Sequence, residues 1–341
     1  MYEKDKKIEK LFYYWLIVSL TLVFFIIIVG GLTRLTDSGL SITEWELLSG
    51  ILPPLNSSSW QMYFDLYKQI PQYKLLNYNM TLNEFKIIFY WEYFHRVLAR
   101  FIGVFFLIPF LIFYFSNKIN KRYLKICFLI LLLIIIQGVV GWYMVKSGLV
   151  DDVTVSHYRL SIHLSMAILI ISSIYWLIKN VHSKRNKIFF IISKDNLPFQ
   201  LLILLIFIQI ILGAFVSGLD AGKIYQTWPK MGNYFIPNDL ILNDYYKIFE
   251  FDNHSLVQFY HRNLAYLIII YSLFLTLIIF KKKFTNLYKS SFILLFFLFL
   301  QVVLGIITLI SGLNIYLASS HQITSVLLIL SAINLYFLKV K

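Results

Sequence analysis

Eight continuous apolar segments decide what this chain can fold into: Leu11–Val29, Val97–Phe115, Ile126–Val145, Leu160–Ile178, Leu197–Val216, Leu264–Phe280, Phe292–Ile310 and Ile323–Leu338. Each is long enough for a helix to cross a hydrocarbon layer of about 30 Å. Apolar residues run on in each segment without alternating with polar ones. Helices, which satisfy their own backbone N–H and C=O groups inside lipid, are therefore expected, and a barrel is not. At 59% hydrophobic residues over 341 positions and a mean hydropathy of +0.72, a soluble domain is excluded. The fold class is an all-α membrane protein with eight transmembrane helices.

Charge sets the orientation. Lys and Arg cluster at Lys4–Lys10, Lys118–Lys125, Lys179–Lys194, Lys281–Lys289 and Lys339–Lys341. The side that holds these clusters carries 19 of the 31 basic residues against four acids (Glu3, Asp5, Glu9 and Asp195), a net +15. The other side carries 12 basic and 13 acidic residues, a net −1. An excess of Lys and Arg marks the cytoplasmic face, so both termini are expected in the cytoplasm. The net charge of +14 is thus a topology signal, and no nucleic-acid partner is expected. The first apolar run is long and lacks a small-residue cleavage site, so a cleavable signal is not expected. A bacterial cell inner membrane fits better than a mitochondrial one, because acids are mixed with the N-terminal lysines. Cys127 is the only cysteine and reads as a small core residue.

The chain repeats itself. Gly30, Asp37, Gly39 and Trp45 match Gly213, Asp220, Gly222 and Trp228 at a single offset of 183. Glu92-Tyr93-Phe94-His95-Arg96 faces Gln258-Phe259-Tyr260-His261-Arg262, and Gln137, Gly141 and Ser147-Gly148-Leu149 match Gln301, Gly305 and Ser311-Gly312-Leu313. Four helices per copy give both copies the same orientation. The expected organisation is two tandem four-helix bundles, 1–180 and 181–341, related by a parallel internal repeat.

Four histidines, His95, His163, His261 and His321, sit where outer loops meet even-numbered apolar segments. Histidine is costly at a membrane boundary and is a standard axial ligand for haem iron. Any one of them has an ordinary alternative in contact with headgroups or a nearby loop. Two matched pairs at one depth point instead to two haems, each between two imidazoles. A gapless alignment pairs His321 with His157, whereas a six-residue insertion pairs it with His163. Distance from the cytoplasmic end favours His163, which lies 16 residues before Lys179 as His321 lies 18 before Lys339, and His157 stands as its rival.

The copies also differ. Glu92 lies three residues before His95, on the same helix face, and its counterpart is Gln258. A carboxylate at a haem edge can accept protons or stabilise positive charge, although an acid near a helix N-terminus also favours the dipole. Arg96 and Arg262 directly follow ligand histidines and suit haem propionates, with helix-end anchoring as the plain alternative. The first outer loop, Asp37 to Trp91, holds several Trp and Tyr that suit either a cap over an apolar substrate or an interfacial belt.

Gly30-Gly31-Leu32-Thr33-Arg34-Leu35-Thr36-Asp37-Ser38-Gly39-Leu40-Ser41 with Trp45, together with Glu92-Tyr93-Phe94-His95-Arg96, resembles the signature of the haem A synthases. So do Tyr158-Arg159-Leu160 to His163-Leu164, Phe259-Tyr260-His261-Arg262 and His321-Gln322, in family order over nearly the whole chain. The resemblance implies oxidation of the C8 methyl of haem O to a formyl group by successive hydroxylations, giving haem A for cytochrome oxidase. It implies that His95 and His163 hold the substrate haem and that His261 and His321 ligate a resident haem b. It implies that Glu92 is the catalytic carboxylate. Haem sites toward the periplasmic side, supply by haem O synthase, a membrane electron acceptor and a role in cytochrome oxidase assembly follow in the same way, and a homo-oligomer is compatible. Some bacterial members carry a cysteine pair in the first outer loop. This chain has none there, so it resembles the proteobacterial and mitochondrial type. The main rival reading is a di-haem b electron-transfer cytochrome, which leaves the Glu92/Gln258 difference unexplained. A secondary transporter ranks last, because the polar groups gather at the outer boundary.

Overall fold

A computed structural model describes residues 2–44, 49–149, 153–240 and 248–340. Ten α-helices follow in order: α1 (Tyr2–Leu35), α2 (Ser57–Tyr67), α3 (Pro71–Leu75), α4 (Leu82–Ser116), α5 (Lys121–Gly148), α6 (His157–Ser183), α7 (Leu197–Gly218), α8 (His254–Lys281), α9 (Tyr288–Ile310) and α10 (Ile315–Lys339). All but α2 and α3 belong to eight helical segments long and apolar enough to cross a membrane, as the sequence predicts. The protein is an all-α, multi-pass membrane protein. Large apolar side chains such as Phe101, Ile108, Ile112, Phe274 and Phe299 remain exposed along these helices, which is stable only in lipid.

Two compact units divide the chain, Met1–Ile171 and Ser172–Lys341. In the first, α4 packs against α1 and α5. In the second, α8 packs against α7, and α10 against α9 and α7.

The helices start earlier than their apolar cores. α4 begins at Leu82, 15 residues before the expected Val97, and α8 begins at His254 rather than Leu264. Caps explain both. The Thr81 hydroxyl accepts from Glu84 N–H while the Glu84 carboxylate accepts from Thr81 N–H, and the Asn253 side chain accepts from Leu256 N–H. His95 and His261 therefore stand inside helices, not at their ends.

The early turns of α4 also reshape the first outer loop. Trp60 and Phe64 of α2, with Tyr67, bury against Phe85 and Phe89 of α4, and Leu40 joins them. Trp60 packs edge-on to Phe89 at 5.0 Å between centroids. These aromatics are the core of an outer subdomain that ties the loop to α4. Burial pushes the Tyr67 phenol above its usual pKa. It donates to Gln72 Oε1 at 3.0 Å, and Gln72 donates to the Asp37 carbonyl at 3.2 Å. Trp45 lies outside the described residues.

Candidate haem-ligand site

Each candidate histidine is seated on a glycine of the preceding long helix. A Cβ built on Gly30 of α1 would lie 3.0 Å from Cε1 of His95, and one on Gly141 of α5 would lie 3.0 Å from Cε1 of His163. In the second unit the distances are 3.2 Å from Gly213 to His261 and 2.8 Å from Gly305 to His321. Any larger residue at these four positions would push on an imidazole edge. His157 begins α6, lies against Tyr158 with centroids 4.0 Å apart and planes tilted by 39°, and has no glycine against its ring. His182 and His254 are exposed.

The donor set suits a planar macrocycle. The His261 and His321 ring centroids are 6.4 Å apart with their planes at 77°. Two imidazoles on opposite faces of one metal, each bond about 2 Å, put the centroids roughly 6 Å apart. Nδ1 of His95, His163 and His261 is buried with no hydrogen-bond partner, an arrangement costly for a purely structural histidine. Among the described residues no group of three or more His, Cys, Asp or Glu is placed to hold a bare ion.

Three residues before His95, Glu92 is buried at 3% exposure, and four donors converge on its carboxylate. Oε1 accepts from Arg96 Nη2 at 2.6 Å and Nε at 3.0 Å, and Oε2 accepts from Ser41 Oγ and Ile42 N, both at 2.8 Å. The Arg96 guanidinium also donates to the carbonyls of Ile42 at 2.9 Å and Glu44 at 3.3 Å. Glu92 and Arg96 thus clasp the start of the outer loop onto α4. A cavity of about 260 Å³ opens beside the clasp, lined in part by Arg96, Trp142 and Lys146.

The second unit repeats the clasp without the charge pair. Arg262 donates to the carbonyls of Tyr225 and Thr227, both at 2.8 Å. Those residues stand at the offset of 183 from Ile42 and Glu44. Gln258 donates to the same Tyr225 carbonyl at 3.1 Å, and its Oε1 is buried without a partner. Both loops start the same way: Asp37 and Asp220, also paired in sequence, adopt left-handed backbone at φ 50° and 53°.

Sequence reasoning found the histidines, Glu92, Gln258 and both arginines, and the structure gathers them around two histidine pairs. It missed that the four glycines seat the ligands, although they were visible as matched positions. Sequence reasoning also missed Ser41 and Ile42, whose hydrogen bonds to Glu92 depend on contacts between helix and loop.

Family comparison decides the membership. The model of the family described as cytochrome oxidase assembly protein matches residues 13–333. A protein named heme A synthase from Pelagibacter ubique is 48% identical over 329 residues, covering 95% of this chain and 94% of that one. Two more with that name, from Rickettsia felis and Rickettsia bellii, are 40% and 42% identical and cover 95% and 92% of this chain, and 96% and 94% of their own lengths. The chain belongs to the haem A synthase family. In that family setting the two histidine pairs and the lone carboxylate become the residues to explain.

Proposed function

We propose that this protein is a haem A synthase, an oxidoreductase that converts the C8 methyl of haem O to a formyl group for cytochrome oxidase. The observation that carries the site reading is the pair of two-histidine seats, of which only the first has a buried carboxylate one helical turn from a ligand. His95 and His163, within residues 1–180, hold the substrate haem. His261 and His321, within 181–341, hold a resident haem b, which when bound supplies one-electron chemistry.

Glu92 is the catalytic group. Beside a bound substrate haem it would accept a proton or stabilise positive charge, while Ser41 and Ile42 hold Oε2 and Arg96 holds Oε1. Gln258 lacks an ionisable carboxyl and leaves the second half to electron transfer. Arg96, and Arg262 at the matching place, hold the outer loops and offer cationic partners to the propionates, with Lys146 beside Arg96 on the cavity wall. The Lys and Arg distribution supports cytoplasmic termini, haem sites toward the periplasm and residence in the bacterial inner membrane. The two units are read as copies of a parallel repeat. Haem O synthase is the natural supplier of the substrate.

The test is the haem content of purified protein. Wild type yields haem b with haem O, haem A or a hydroxylated intermediate. Two equivalents of haem b and nothing else would make it a di-haem electron-transfer cytochrome.

A further inference from the structure

The four seats are not equal. α5, α7 and α9 each carry a glutamine four residues before the seating glycine: Gln137 before Gly141, Gln209 before Gly213, Gln301 before Gly305. That spacing puts the amide and the glycine notch on one helix face, one turn apart. Gln137 Nε2 donates to the His163 carbonyl at 3.0 Å. Gln209 Nε2 donates to the His261 carbonyl at 2.9 Å and lies 3.4 Å from the His261 ring nitrogen Nε2. Gln301 Nε2 lies 3.3 Å from His321 Nε2, and the Gln301 backbone carbonyl, separately, lies 3.1 Å from His321 Nδ1. At the fourth seat, α1 carries Ile26 four residues before Gly30. His95 rests on the glycine, but α1 offers it no amide.

We propose that Gln-x-x-x-Gly is a repeated histidine seat in which the glutamine is a positioning residue for an axial ligand, and that Ile26 makes His95 the exchangeable ligand of the first haem site. This rests on the functional reading above, in which substrate and product must pass through the first half at every turnover while the haem of the second half stays. Exchange requires an iron–imidazole bond that opens readily. Groups that orient a metal-bound histidine typically contribute 10- to 100-fold in affinity, so omitting one of four selects which bond opens. The glycine accommodates the ring, and the amide holds the histidine by its backbone carbonyl or at its ring edge.

The experiment uses the full chain in detergent and follows transfer of each haem to excess apomyoglobin, with haem b, O and A separated by mass. Wild type releases haem O or A faster than haem b. Ile26→Gln slows that release about 10-fold or more and leaves haem b release unchanged. Ile26→Met, similar in length but without an amide, behaves as wild type. Gln209→Leu and Gln301→Leu speed haem b release about 10- to 100-fold, move its reduction potential and alter its low-spin electron paramagnetic resonance signal. The proposal is overturned if Ile26→Gln releases haem O or A at the wild-type rate with haem b still bound. It is equally overturned if Ile26→Met slows release as much as Ile26→Gln, or if both glutamine variants leave the haem b rate, potential and signal unmoved. Extraction of haem b alone from wild type would instead sink the functional reading, with the Gln209 and Gln301 variants still testing the seat.

Discussion

The two loop clasps differ at two side chains, Glu92 against Gln258 and Ser41 against Ile224, and in most of their electrostatics. In both, an arginine directly after a candidate histidine holds two loop carbonyls spaced two residues apart, and Arg262 also reaches the Lys230 carbonyl at 3.2 Å. In the first unit that arginine is neutralised by buried Glu92, whose remaining oxygen takes two further hydrogen bonds from the loop. In the second, Gln258 only donates to a carbonyl the arginine already shares. A buried ion pair is not the cheapest way to fasten a loop, since apolar or neutral polar groups do as well or better. The second unit fastens its loop with an arginine and no carboxylate. The carboxylate in the first is the feature our proposal assigns to chemistry, next to the histidine pair assigned to the substrate.

That contrast can be broken in order of expected effect. His321→Ala removes one of the two histidines we assign to haem b and is expected to abolish the haem b equivalent, read from the reduced absorbance spectrum. An unchanged spectrum would show that His321 is not a ligand. Next, Arg96→Gln leaves Glu92 buried and unpaired and should destabilise the first unit by about 3–5 kcal/mol. Arg262→Gln strips hydrogen bonds from neutral carbonyls and should cost only about 1–3 kcal/mol. Denaturation in detergent measures both, and equal losses would erase the distinction between the clasps.

Smaller effects come from the seats. Gly305→Ala, where a Cβ falls 2.8 Å from His321, should shift the haem b spectrum and potential more than Gly213→Ala, where the gap to His261 is 3.2 Å. The reverse order would mean that the glycines do not set the ring positions. His157→Ala should be milder than His163→Ala in haem content, because Gly141 seats His163. If His157→Ala loses the substrate haem and His163→Ala keeps it, the ligand in α6 has been assigned to the wrong residue.

The membrane helices were legible because lipid demands continuous apolar runs, and a run of that kind has no competing explanation. The start of α4 was not legible, because Asn83, Glu84 and Lys86 read as loop until the Thr81 cap and the burial of Phe85 and Phe89 are seen. Trp60 and Tyr67 were ambiguous for a similar reason: interfacial, substrate-facing and core aromatics share one composition. Within the site, the histidines stood out as matches across an internal repeat and the Glu92/Gln258 difference as an exception to it. Ser41 did not, because its counterpart Ile224 makes the pair look like drift. Only the bond to Glu92 Oε2 gives that difference a meaning.

The most direct test is extraction and mass analysis of the haems from wild type and Glu92→Gln, the variant that gives the first clasp the side chain of the second. Wild type should contain haem b together with haem O, haem A or a hydroxylated intermediate, while Glu92→Gln keeps its haem b and accumulates the less oxidised form. Normal haem A from Glu92→Gln would contradict a chemical role for the carboxylate and reduce it to a fastening for the loop.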